Sequence, residues 1–488
     1  MAGDNRALSG VRNDYLFSSA ASASVAFSTL LLFAWIGRTL GSEELGLFSQ
    51  VRRVSAMWVP VGSLGVSMAL GRFIPRSSDL ALIRRRTLQT LLLVLMALGV
   101  HAGVMLLPRA HTLVAPIIGD RLELIAPLLL QLSALCILEL PYAVLRGLHR
   151  IRSAALMQIT GYAAWPLLAT ALSTGKSLAS LLATIAIGQL LFGLAVYGIV
   201  LFRGTPATTP KETEPTPKLK EWLLYGLARL PGGPSHLVLW AGIPLFLVHW
   251  SRTTEVALAN AVTSLVNLPV LVLSPLAFVL LPRLSLAQVQ GEDHAVREFI
   301  RKGLRVAWEL QLPATGTLLL FLEPALDLWL GFGSASFIET GKWMVAGIPA
   351  ISLFMFLRPA SDARSMIPYA VLSQGLGILI GGLWLLFTLK HQRSVDLGRA
   401  FFIAQTTAAA ALTFWCMALH SMRLPFPATR LLCQLLPLLV GGLLATAASG
   451  IPQQAVIWAA ALIGYGGALL ATGSPVMAPL RFSKKSPP

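Results

Sequence analysis

The chain has 488 residues, 55% of them hydrophobic and only 12% charged, against about 25% charged in a soluble globular domain. That composition excludes a soluble enzyme and predicts an all-α polytopic membrane protein, because each run of about 20 apolar residues can span a bilayer as a helix. The net charge of +17 does not signal nucleic acid. The basic residues cluster at the ends of apolar runs, as the positive-inside rule expects, and no basic domain exists to dock a duplex.

Residues 1–14 are short and polar, and the first apolar run has no clear cleavage site, so it reads as a retained helix. About fourteen spans are expected, near 15–36, 47–74, 87–107, 123–145, 153–173, 178–202, 223–249, 256–281, 307–330, 341–358, 366–389, 399–421, 430–448 and 454–472. An even number puts both termini on one side. The basic clusters, clearest at Arg84-Arg85-Arg86 and at Arg146, Arg150 and Arg152, make that side cytoplasmic.

Residues 203–220 are rich in Pro, Thr and charge and read as a flexible linker. The linker separates an N-terminal six-helix lobe, 1–202, from a C-terminal six-helix lobe, 221–423. Two further helices and a basic tail fill 424–488. Within 282–306, Ala295, Val296, Phe299, Ile300, Leu304 and Val306 alternate with Arg297, Arg301, Lys302 and Arg305. This pattern predicts an amphipathic basic helix lying on an anionic leaflet.

The halves look related. Glu44-Leu45-Gly46-Leu47-Phe48-Ser49 opens the second span and Glu255-Val256-Ala257-Leu258-Ala259-Asn260 opens the eighth. Phe73-Ile74-Pro75-Arg76 and Leu280-Leu281-Pro282-Arg283 close them. Six spans per half give both copies one orientation, a parallel repeat of the kind transporters use.

Arg52 and Arg53 are the first candidate site residues. They lie about 10 Å inside the second span at 1.5 Å per residue, where each costs roughly 2.5–3.5 kcal/mol on insertion scales. Either they snorkel to the interface or they line a cavity and neutralise phosphate, which the planar arginine fork binds bidentately. Arg229 sits in the seventh span beside Pro231, Gly232, Gly233 and Pro234, a run that must interrupt the helix and could act as a hinge. The alternative is a structural kink with a snorkelling arginine. Glu139, the most central carboxylate, is a coupling-ion site or the partner of an arginine, with pairing favoured. Gln50 could line the lumen, and Trp58 and Trp240 could stack on sugar, although most tryptophans here should be interface anchors. Cys136, Cys416 and Cys433 read as small buried hydrophobes without metal or disulfide spacing. No metal site, cofactor motif, P-loop or HExxH is present.

The stretch Gly37-Arg38-Thr39-Leu40-Gly41-Ser42-Glu43-Glu44-Leu45-Gly46-Leu47-Phe48 resembles the polysaccharide transporter family, the Wzx-type O-antigen flippases of the MATE-like superfamily. So do Pro141-Tyr142-Ala143-Val144-Leu145-Arg146-Gly147-Leu148 and Tyr225-Gly226-Leu227-Ala228-Arg229-Leu230-Pro231. The resemblance implies two six-helix lobes around a cationic cavity. It further implies inner-to-outer transfer of a polyprenyl-diphosphate-linked oligosaccharide across the inner membrane for lipopolysaccharide or other surface polysaccharide. Arg52, Arg53 and Arg229 fit arginines that meet the diphosphate, and polysaccharide-assembly proteins are candidate partners. The first span has no internal Lys or Arg, which argues against lipid II as cargo.

Three other readings compete. A MATE-type cation-coupled multidrug antiporter needs carboxylates within the spans, and only Glu139 is clearly central. A polymerase or ligase would need a large external loop, whereas the loops expected here are of ordinary connection length. A scaffold without transport is the fourth possibility. The expectation is therefore a transporter and not an enzyme.

Overall fold

The computed structural model describes residues 11–76, 79–105, 107, 121–173, 177–203, 218–249, 253–330, 335–388, 393–421, 428–448, 450–472 and 474. Most of the described residues are helical, and none of them is in a strand. Most of the expected linker and the basic tail lie outside them.

The first stretch of chain forms α1 (Val11–Thr39), α2 (Ser42–Gly62), α3 (Val66–Phe73), α4 (Leu80–Met105), α5 (Ile125–Gly147), α6 (Ile151–Gln158), α7 (Trp165–Leu172) and α8 (Leu178–Arg203). Then come α9 (Leu219–Arg229), α10 (Gly232–His249), α11 (Thr253–Val289), α12 (Asp293–Leu330), α13 (Ala335–Ala346) and α14 (Ile348–Arg364). The last are α15 (Tyr369–Thr388), α16 (Ser394–His420), α17 (Ala428–Ala447) and α18 (Ile451–Ala471). Each expected span contains helix among the described residues. Among the described residues eight helical segments are individually long and apolar enough to cross a membrane, and up to nine if the bent 47–76 pair is one span. Exposed leucines confirm a lipid-facing surface: Leu88, Leu92 and Leu95 of α4 are each about half exposed, which a water-soluble helix would not allow in such a row. The protein is a multi-pass membrane protein.

The chain divides into two compact units that are not contiguous in sequence. The first holds residues 1–237, 275–292 and 362–371, and the second holds 238–274, 293–361 and 372–488.

In the first unit the core is built on α5, where Leu132, Cys136, Ile137, Leu138 and Leu140 pack with Val66, Ala69, Leu70 and Phe73 of α3 and Trp222 and Tyr225 of α9. The second span departs from the expected continuous helix. It is bent by 62° between α2 and α3, because Leu64 and Gly65 take positive φ values of 51° and 64° and the Gly65 amide folds back onto the Pro60 carbonyl at 2.8 Å. The seventh span breaks as the Pro-Gly-Gly-Pro run requires. The interruption falls at Leu230–Pro231, and helix resumes at Gly232. The two breaks meet: a Cβ on Gly65 would lie 2.3 Å from the Gly226 carbonyl oxygen, and one on Gly233 would lie 2.8 Å from the Met57 carbonyl oxygen. Glycine is the residue that permits such backbone contact. A π-turn over Ile159–Ala164 joins α6 to α7.

In the second unit, α17 and α18 dock on α12. Gln434 Nε2 donates to Glu309 Oε1 at 2.9 Å, Tyr465 donates to the Glu309 carbonyl at 2.7 Å, and Trp458 Nε1 donates to Thr317 Oγ1 at 2.9 Å. Ser474 also reaches the Glu309 carboxylate. The basic amphipathic helix is the first part of α12, and its placement corrects the sequence expectation. Val296, Ile300 and Leu304 are buried, and a Cβ on Gly303 would lie 2.0 Å from the Phe356 ring of α14. Its apolar face is therefore covered by protein, not by a leaflet, while Arg297, Arg301 and Lys302 remain exposed. The span expected at 341–358 reaches instead to Arg364 as α13 and α14, which brings Asp362 into a helix. The helix α11 runs unbroken, unlike its proposed repeat partner α2–α3.

Candidate functional site

Two groups of cations define the first unit. The first is on α2. Arg52 lies over the Phe48 ring with its guanidinium carbon 5.5 Å from the centroid, one turn along the same helix face. Its Nη1 is shielded from solvent and meets no acceptor among the described residues. One turn further, the buried Ser55 hydroxyl also lacks a partner. An unsatisfied buried donor costs about 1–3 kcal/mol, and more when charged, so an acceptor from outside the described residues would stabilise this stripe. Arg53 is the next residue on α2. The side chain of Gln50 lies outside the described residues. Trp58 is partly buried against the α5 core.

The second group was only partly visible in the sequence. Arg229, at the end of α9, is 1% exposed. Its Nε donates to Asp362 Oδ1 at 2.8 Å, its Nη2 to the Ser365 carbonyl at 3.0 Å, and its Nη1 to the Tyr225 and Met366 carbonyls, each at 3.2 Å. Its guanidinium lies 3.5 Å from the Tyr225 ring centroid. Arg72 of α3 lies 4.7 Å from the same ring and donates to the Asp362 carbonyl at 2.7 Å and to the Ser365 carbonyl. Arg76 donates to the Ala363 carbonyl at 3.0 Å, and the Tyr225 hydroxyl donates to the Asp362 carbonyl at 2.9 Å. Three arginines thus satisfy carbonyls at the C-terminus of α14, whose last turn has no intrahelical donors and carries the negative end of the helix dipole. Phe73 holds the assembly by stacking on Trp222 at 5.4 Å and meeting Tyr225 edge-on.

Neither Arg72 nor Asp362 is among the residues that the sequence singles out. Arg72 lies in the same span as Arg52 and could have been found by listing every charge there. Asp362 could not, because hydropathy ended that span at 358.

Glu139 of α5 faces Arg146 at 3.6 Å, the pairing favoured from sequence, and Arg146 also lies over the Tyr142 ring at 4.5 Å. Gln131 donates to Gln189 Oε1 at 2.8 Å, and Gln189 donates to the Gly161 carbonyl at 2.9 Å, inside the π-turn. Trp240, in the second unit, is buried and meets Phe401 edge-on at 6.2 Å. Cys136 and Cys416 are free and buried. The side chain of Cys433 lies outside the described residues.

In the turn between α5 and α6, His149 has a positive φ of 56° and two ring nitrogens without partners. Burial, joined by repulsion from Arg283, pushes its imidazole down from 6.5 to about 4. Arg283 itself pairs with Asp14. A depressed histidine favours the folded state only while neutral. Its contribution is complete above 6.5 and is lost as the pH falls through about 4. Melting curves across that window should show a steeper loss of Tm for the parent than for His149→Gln. Parallel slopes would count against this placement of the charge.

A bent, glycine-crossed helix bundle with cations inside its spans is the architecture of a membrane transporter. The profile described as "Polysaccharide biosynthesis protein" matches residues 13–288, more than half of the chain, and the protein belongs to that family. Its fold is that of the MATE-like flippase superfamily. An outward-facing multidrug resistance MATE transporter of the MOP superfamily is similar at a TM-score of 0.67, with 14% identity over 86% of this chain and 98% of that one. A MATE protein in complex with MaL6 gives 0.68, with 16% identity over 86% and 99%. A MOP superfamily transporter from Pyrococcus furiosus, described as having a binding pocket of reverse polarity, gives 0.70, with 14% identity over 84% and 95%. No curated protein matches the sequence significantly.

Proposed function

We propose that the protein is a flippase that carries a polyprenyl-diphosphate-linked oligosaccharide from the inner to the outer leaflet of the cell inner membrane, by alternating access, with both termini cytoplasmic. The carrying observation is Arg52. Its guanidinium lies within a span with a buried Nη1 that meets no acceptor among the described residues, the state expected of a group whose partner is an anionic cargo. Arg53, adjacent on α2, widens the cationic surface, and Gln50, Trp58 and Trp240 are candidates for the sugar. The polyprenyl tail stays in lipid while headgroup and sugars cross, so the protein need compensate only the diphosphate charge and the hydroxyls. The two six-helix lobes, with α17 and α18 as additions, would move about the break at Pro231, Gly232, Gly233 and Pro234.

The MATE-like fold also favours a second reading, a cation-coupled antiporter. Glu139 would then carry the coupling ion, but it already faces Arg146. Liposomes containing a fluorescent polyprenyl-diphosphate glycan separate the two readings. Leaflet exchange should depend on protein and fall at least about tenfold in Arg52→Ala, the loss of one charge-assisted contact of about 1.4 kcal/mol or more. Proton-coupled efflux of a cationic dye without glycan exchange would establish the antiporter instead.

A further inference from the structure

One buried carbonyl in the π-turn depends on a side chain, and the sequence supplies the reason. In an α-helix the Gly161 carbonyl accepts from the amide four residues on, that of Trp165. Here the Trp165 N–H bonds to the Thr160 carbonyl instead. The next residue, Pro166, has no N–H to offer. Gly161 is served from α8, where Gln189 Nε2 donates to it at 2.9 Å. Gln131 Nε2 of α5 donates to Gln189 Oε1 at 2.8 Å, which keeps the Gln189 amide nitrogen turned toward Gly161. From α1, Ser28 Oγ donates to the Ala163 carbonyl at 2.9 Å.

An α register of the same segment is one bond away. The Trp165 N–H would return to Gly161, and Tyr162 would become the carbonyl that Pro166 cannot serve. Each register thus leaves one carbonyl without a backbone donor, and Gln189 favours the π register because it reaches Gly161. Such single π-turns inside α-helices occur frequently at functional sites. The α7 side of the turn is anchored: Trp165 Nε1 donates to the Ile185 carbonyl at 2.9 Å, and a Cβ on Gly188 would lie 1.9 Å from its indole. A change of register would therefore turn α6, by about 100° for one residue. At the end of α6, Gln158 Oε1 accepts from the Tyr142 hydroxyl at 3.2 Å. Arg146, which faces Glu139, lies over the Tyr142 ring.

We propose that the π-turn is a two-register switch: Gln189 holds the π register, and release of its bond to Gly161 lets α6 turn by one residue, drawing Gln158 away from Tyr142 beneath the Arg146–Glu139 pair. The switch goes beyond the transport reading, and its test needs no cargo. The turn holds one residue more than an α-helix, so on reversion each α6 residue moves into the place of the one before it. Ala154, 2% exposed, takes the exposed place of Ser153, and Leu156, 66% exposed, takes the buried place of Ala155. Ser153 moves into another exposed place, that of Arg152.

The test uses the full chain in detergent micelles, with Cys136, Cys416 and Cys433 replaced by alanine and one cysteine introduced at a time. Labelling by N-ethylmaleimide is timed for Ala154→Cys, Leu156→Cys and Ser153→Cys. Gln189→Met, which removes the donor at similar length, should speed labelling at 154 at least about tenfold, the effect of one buried carbonyl left without a donor. It should slow labelling at 156 and leave 153 unchanged. Gln131→Met, which only frees the Gln189 amide to rotate, should shift the same sites in the same directions by less. It carries the test should Gln189→Met fail to elute as folded protein. Opposite changes at 154 and 156 establish the turn of α6. Rates that rise together would mean local unfolding and overturn the switch, as would unchanged rates at both sites.

Discussion

Asp362→Ala should destabilise the protein by about 3 kcal/mol, at the lower end of the 3–5 kcal/mol seen when one partner of a buried ion pair is removed. The reason is the charge left behind. Arg229 is 1% exposed and its Nε would lose its acceptor at 2.8 Å. The loss stays near the lower end because Nη1 and Nη2 keep their carbonyls and the guanidinium keeps the Tyr225 ring at 3.5 Å. A double replacement, Arg229→Met with Asp362→Leu, should recover much of the loss, since apolar residues of similar size often substitute for a buried pair at little cost. Melting of the purified proteins in detergent micelles reads this directly. A double variant less stable than either single one would show that the pair is not the source of the effect.

Gly65→Ala is the second large effect. The new methyl group would sit 2.3 Å from the Gly226 carbonyl oxygen and 2.8 Å from its carbon, on a backbone held at φ 64°. Overpacking costs about 1–3 kcal/mol, and a left-handed conformation at a non-glycine residue costs about 1–3 kcal/mol more. Neither neighbour can yield, because both contacts are to backbone. Gly99→Ala in α4, where nothing lies within 4 Å, is the matched control. It should be neutral or slightly stabilising, as alanine favours helix over glycine. Equal melting temperatures for Gly65→Ala and the parent would mean that the two helix breaks do not touch as described.

Much of this architecture was legible in the order of residues. Apolar runs fixed where the helices lie, because in lipid every backbone amide must be satisfied within its own segment. The Pro-Gly-Gly-Pro run marked one break for the same local reason. Arg52 stood out because charge inside an apolar run is costly wherever the chain places it. The break at Ser63–Gly65 also had a local signal, Pro60 followed by Gly62 and Gly65, masked by the high hydropathy around it.

What the tertiary structure alone decided is who meets whom. Arg229 looked from sequence like a cation waiting for cargo, and only the fold shows it enclosed by Asp362 and three carbonyls. Asp362 read as a loop residue because the hydropathy signal fades before the helix ends. The apolar face of the α12 entry segment looked fit for a leaflet, and only packing against α14 reveals that protein covers it. Helix formation and insertion depend on short-range composition, which a sequence displays. The pairing of charges far apart in the chain depends on which helices pack together, and no single stretch of sequence contains that information.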